Sequence, residues 1–216
     1  YWDTGSGIGL VSSANIATTS TYWIPPLCCG GSSSAFTPNS VNTTKLNAFV
    51  TRTTADSKVS IEQIGNSNQT VIEQTGSKNN SVNYYVNGSS NTTNITQNGN
   101  ANTQANYIDL SVVGNSNSTI ISQNSTGGSK SAFVKVNDNN NIVKLQQTDS
   151  GNHYAEVNLS GGNKTVDITQ SGSANHMASI TLSGQAQSLT LQQTGSSQQF
   201  YSITSNCATS GGCSPI

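Results

Sequence analysis

The stretch Thr165–Gly184, TVDITQSGSANHMASITLSG, holds one complete unit of the pattern that governs this chain. An alternating run, Val166-Ile168-Gln170, leads to Gly172 and Asn175. A second run, Ala178-Ile180-Leu182, follows, and Gly184 closes the unit. A side-chain period of two is that of a strand with one buried face. The glycine and asparagine between the runs predict a tight turn. The unit then recurs, which makes this a repeat architecture.

With glutamine as marker, the recurrences are Gln63, Gln74, Gln97, Gln123, Gln147, Gln170 and Gln193. The first gap is 11 residues, about half a unit; the later ones are 23, 26, 24, 23 and 23. Two positions before each glutamine stand Ile61, Ile72, Ile95, Ile121, Leu145, Ile168 and Leu191, all aliphatic. Four before stand Val59, Thr70, Thr93, Thr119, Val143, Val166 and Leu189. Five after, asparagine predominates: Asn68, Asn79, Asn102, Asn152 and Asn175, with Gly128 and Gln198 in the other two units. The second strands of the units lack glutamine and keep the alternation, as in Val82-Tyr84-Val86, Ile108-Leu110-Val112 and Ala155-Val157-Leu159. About thirteen strands follow from Val59 onward, and a weaker run, Leu46-Ala48-Val50, precedes them.

A strand this short buries little alone. Stacked on its equivalents at about 4.7–4.8 Å, it pairs every backbone group above and below. The inward aliphatic residues then form a thin core between two sheets about 10 Å apart. A buried glutamine is costly unless its amide is bonded, and a column of them bonds to itself as a ladder. Asparagine is expected to ladder likewise at the turns and to tolerate left-handed backbone there. The expected fold is therefore all-β: a β-solenoid of stacked strand-turn-strand rungs, about 23 residues per rung and six to seven rungs, with an irregular N-terminal extension. Three segments are expected: an extension at 1–45, the solenoid at 46–205 and a Cys-containing tail at 206–216.

Gln63-x-Gly65-x-x-Asn68, followed by Gln74, resembles the repeat of the curlin family, the subunits of curli fibres. Gln74-x-Gly76, Gln97-x-Gly99, Gln170-x-Gly172 and Gln193-x-Gly195 carry the same core, while Ser125 and Asp149 replace the glycine in two units. The resemblance implies a strand-turn-strand solenoid that polymerises into an extracellular fibre at the cell surface. It makes copies of the chain itself the main partner, with secretion or nucleation machinery as further ones.

Composition narrows the alternatives. Charged residues make up 8% of the 216 and the net charge is −1, which removes the electrostatic case for nucleic acid and weakens the usual brake on self-association. No apolar run is long enough for a membrane-spanning helix. The start at Tyr1 is read as a mature form lacking its signal peptide.

The N-terminal stretch departs from the repeat and holds Trp2, Tyr22, Trp23, Pro25 and Pro26. An open solenoid end exposes unpaired backbone. The segment is expected to contact a neighbouring subunit through Trp2, Tyr22 and Trp23; the alternative is an intramolecular cap. Cys28, Cys29, Cys207 and Cys213 are disulfide candidates in a secreted chain. Cys207 and Cys213 can close a small loop, or Cys28 and Cys29 can join them, within one subunit or between two. Paired Cys-x-x-Cys spacing for zinc is missing.

No catalytic residue, metal or cofactor is expected. The acidic residues are scattered, and none has a base and nucleophile beside it. His153 and His176 should stack one rung apart, in what reads as a solvated turn column. The Asn-rich turns lack the GGxGxDxUx repeat of calcium-binding β-rolls. The expected function is a structural filament subunit of a biofilm matrix or surface appendage. The competing reading is an adhesin or fibre module that grips glycans through exposed ladders.

Overall fold

The computed structural model describes residues 57–76, 80–99 and 105–207. These form thirteen strands: β1 (Lys58–Ile64), β2 (Gln69–Gly76), β3 (Asn80–Asn87), β4 (Thr92–Gly99), β5 (Asn106–Val113), β6 (Ser118–Ser125), β7 (Lys130–Asn137), β8 (Ile142–Asp149), β9 (His153–Asn158), β10 (Lys164–Ser171), β11 (His176–Gly184), β12 (Gln187–Thr194) and β13 (Gln199–Cys207). No helix occurs among them.

Successive strands go to opposite sheets. The odd-numbered strands make a seven-stranded sheet in the order β1-β3-β5-β7-β9-β11-β13, and the even-numbered ones a six-stranded sheet running β2-β4-β6-β8-β10-β12. Every pairing is parallel. The described residues thus form an all-β solenoid of about six turns, and its rung length is the repeat length of the sequence.

Register follows the aliphatic columns. Ile72, Ile95, Ile121, Leu145, Ile168 and Leu191 pair in line down the six-stranded sheet. Tyr84, Leu110, Val134, Val157, Ile180 and Ile203 do so in the other. Between them lies a dry core in which Val82, Ile95, Ile108, Ile168 and Ile180 are fully buried. A one-residue slip would turn this whole set outward, so burial fixes the register.

The first marker belongs elsewhere than its column suggests. Gln63 and Ile61 lie in β1, paired with Val86 and Tyr84, and so in the sheet opposite the other six glutamines. The 11-residue gap is one strand and one turn, a half-rung that moves the chain across the core. Asn68 accordingly sits at the opposite turn from Asn152 and Asn175. Asn79 and Asn102, the Leu46-Ala48-Val50 run, Trp2, Tyr22, Trp23, Cys28, Cys29 and Cys213 lie outside the described residues; Cys207 ends β13.

Candidate assembly site: polar ladders and open ends

Six glutamines form one continuous ladder. The Nε2 of Gln74 donates to Oε1 of Gln97 (2.8 Å), Gln97 to Gln123 (2.8 Å), Gln123 to Gln147 (2.9 Å), Gln147 to Gln170 (2.7 Å) and Gln170 to Gln193 (2.7 Å). Each Nε2 also donates across the core to a backbone carbonyl at the start of an odd strand: Lys58, Ser81, Tyr107, Ser131, Tyr154 and Met177, at 2.9–3.2 Å. Both amide hydrogens are therefore used. A shorter amide would not reach both partners, and an aliphatic side chain would leave the carbonyls unpaired. The ladder is polar along the stack, every donor pointing toward the C-terminal rung. Gln63 takes no place in it; its Nε2 donates to the Asn68 carbonyl and its Oε1 accepts from Thr70.

A second ladder runs along the turns after odd strands. Asn91 Nδ2 donates to Asn68 Oδ1 (3.0 Å) and Asn117 Nδ2 to Asn91 Oδ1 (3.1 Å). The backbone amides of Asn91, Asn117, Asn141 and Lys164 donate to the side-chain oxygen one rung below. Asn91, Asn117 and Asn141 stand six residues before their glutamines, a column the sequence displays once that offset is inspected. At the opposite turns, the amide of Ser129 donates to Asn152 Oδ1 (2.8 Å) and that of Asn152 to Asn175 Oδ1 (3.0 Å). The laddered asparagines are not the left-handed residues. That conformation falls one position earlier on the Asn68 side, at Ser67, Ser90, Ser116, Asn140 and Asn163, with φ of 57–60°.

A third column was hidden by its mixed chemistry. Asn80, Asn106, Lys130, His153, His176 and Gln199 pair in register at the starts of the odd strands. His153 and His176 are fully buried, not solvated as their turn position suggests. The strand begins at the histidine itself, which points its ring inward. Each Nε2 meets a backbone carbonyl, Thr148 at 2.8 Å and Ser171 at 3.0 Å. Burial, reinforced by the Lys130 charge, pushes His153 down to about 3, and burial lowers His176 as well. The buried Lys130 ammonium is held by three carbonyls, Gly128 (3.1 Å), Asp149 (2.9 Å) and Gly151 (2.5 Å). Desolvation brings its pKa to about 7 against the opposing pull of Asp149.

The ends are unlike the middle. In β1, Val59 and Ile61 occupy the inward columns of Val82 and Tyr84, yet remain about half exposed at 46% and 52%, because no described strand stacks on them. At the other end Tyr201 of β13 is 45% exposed. Among the described residues no cluster of three or more His, Cys, Asp or Glu side chains gathers as a metal site, and no helix is long and apolar enough to cross a membrane.

Parallel rungs, side-chain ladders and a thin aliphatic core define a repeat β-solenoid of cross-β type. Residues 54–82 match the curlin associated repeat. The matched stretch is 29 of the 216 residues and is similar to that repeat, and the repeat and fold together fit a curli-like structural subunit. Neither the curated proteins nor the solved structures compared with the chain give a match.

Proposed function

We propose that the chain is the subunit of an extracellular filament at the cell surface, growing end to end by stacking the last rung of one copy on the first rung of the next. The observation that carries this reading is the exposure of Val59 and Ile61 in columns that are fully buried one rung further in. An arriving β-edge would bury them and pair their backbone. A head-to-tail order keeps the pairing of β13 with the next copy's β1 parallel, as every described pairing is. The low charge leaves little repulsion to oppose it.

The described sheets hold seven and six strands, so a stack of copies needs one more strand per subunit in the smaller sheet. Residues outside the described ones would supply it.

Electron microscopy and fibre diffraction of the purified chain test the proposal. Long unbranched filaments with a reflection at about 4.7–4.8 Å along the axis are expected. Ile61→Lys, which charges the open end, should give single folded particles with unchanged β-sheet circular dichroism. Wild-type particles that stay discrete at every concentration would overturn the reading. Loss of filaments under reductant would place Cys28, Cys29, Cys207 or Cys213 in the joints.

A further inference from the structure

The two sheets carry different outer faces. On the six-stranded sheet the outward column Val71, Asn94, Ile120, Lys144 is open to solvent, Ile120 being 43% exposed. On the seven-stranded sheet the outward residues Tyr107, Phe133, Tyr154 and Met177 are 0–2% exposed, although they alternate with the inward core positions Ile108, Val134, Ala155 and Ala178. The three aromatic rings form a strip across β5, β7 and β9, with centroids 5.4 Å apart between Tyr107 and Phe133 and between Phe133 and Tyr154. Asp109 and Glu156 flank Phe133 in the same column and are also buried. A sheet cannot bury its own outer face, and the other sheet lies on the far side of the core. Something further covers this one.

We propose that the outer face of the seven-stranded sheet is the docking strip for the same chain's N-terminal segment, residues 1–56, which lays Trp2, Tyr22 or Trp23 over the Tyr107–Phe133–Tyr154–Met177 strip. The segment abuts β1 and is long enough. At about 3.3 Å per extended residue it far exceeds the roughly 15 Å from β5 to β11. The other stretches outside the description, 77–79, 100–104 and 208–216, contain no aromatic residue. Aromatic rings and prolines suit an aromatic face. The segment's two cations, Lys45 and Arg52, suit a strip bordered by two buried carboxylates. This assigns the tryptophans to their own subunit rather than a neighbour, and it stands apart from filament growth, which uses the rung edges.

Both tryptophans of the chain lie in this segment, so their fluorescence reports its docking directly. The experiment is acrylamide quenching of the full chain, freshly diluted from denaturant and monomeric by light scattering. Wild-type quenching should be several-fold weaker than that of N-acetyl-tryptophanamide, independent of protein concentration. Phe133→Asp should raise it to the free-indole level with the β-sheet circular dichroism intact, and Phe133→Ser should raise it partway. Ile120→Asp, on the open sheet, should leave it unchanged. Free-indole quenching in the folded wild type would overturn the proposal. So would protection insensitive to both Phe133 variants, or protection that appears only as the protein associates, which would assign the strip to a second copy. Filament formation by the same samples is scored separately, so either idea can fail alone.

Discussion

The imidazole rings of His153 and His176 are stacked one rung apart, 5.1 Å between centroids and 8° from parallel, in a buried column that also holds Lys130. A proton on either ring has no water to solvate it, and Lys130 already supplies positive charge on one side. The folded chain therefore excludes protons that the unfolded chain accepts. With His153 lowered from 6.5 to about 3, its contribution to stability is complete above pH 6.5 and is lost as pH falls from there toward 3. The thermal midpoint should drop through this window. His153→Asn, which restores the chemistry of Asn80 and Asn106, should flatten the drop relative to wild type. Equal pH slopes for the two proteins would remove the histidine from the account.

The glutamine ladder makes a sharper demand. Replacing Gln147 with Leu leaves the Gln123 amide, the Gln170 oxygen and the Ser131 carbonyl each short of a partner. At about 1–3 kcal/mol for each buried orphan, partly relieved by relaxation, a loss of about 3–5 kcal/mol is expected. The adjacent outward Gln146→Leu should change stability by less than about 0.5 kcal/mol. Denaturant titration of both variants measures the contrast, and similar midpoints would mean the ladder contributes little.

Glycine at the turn is required by the rung above it. Gly172 has φ of +109°, and a Cβ there would stand 2.3 Å from the Gly195 carbonyl oxygen. Gly195 has nearly the same φ, +103°, with nothing within 4 Å. Gly172→Ala should cost upward of about 3 kcal/mol, and Gly195→Ala only the conformational part, about 1–2 kcal/mol. In filaments the difference should narrow, because the next copy's rung would then cover Gly195. Thermal melts of monomer and filament compare the two states.

The core is two side chains deep, so charge placement depends on parity. Ile168 is fully buried between Leu145 and Leu191, while Thr169 faces outward beside Gln146 and Gln192. Ile168→Asp should abolish folding, and Thr169→Asp should leave the chain folded with a modest loss. Circular dichroism of the two purified variants decides the matter; a folded Ile168→Asp would mean the inward assignment is wrong.

Much of this architecture is legible along the chain because a solenoid converts sequence period into spatial stacking. Once Ile72 and Ile95 are 23 residues apart in the same alternation, one rung per repeat follows from burial alone, and so does the glutamine ladder, since a repeated buried amide has only its own copies to bond. What the period leaves open is how the rung closes. Tertiary structure put Gln63 and Ile61 in the opposite sheet, because an 11-residue step crosses the core instead of climbing the stack. It turned His153 and His176 inward, joining them to Asn80, Asn106 and Lys130 in a column no single residue type marks. It also made one outer face bury Phe133 and the other expose Ile120, a difference invisible to alternation, which records that a side chain points outward and not what meets it there. Local spacing fixes direction and repeat; only the packed molecule assigns each outward or turn position its surroundings.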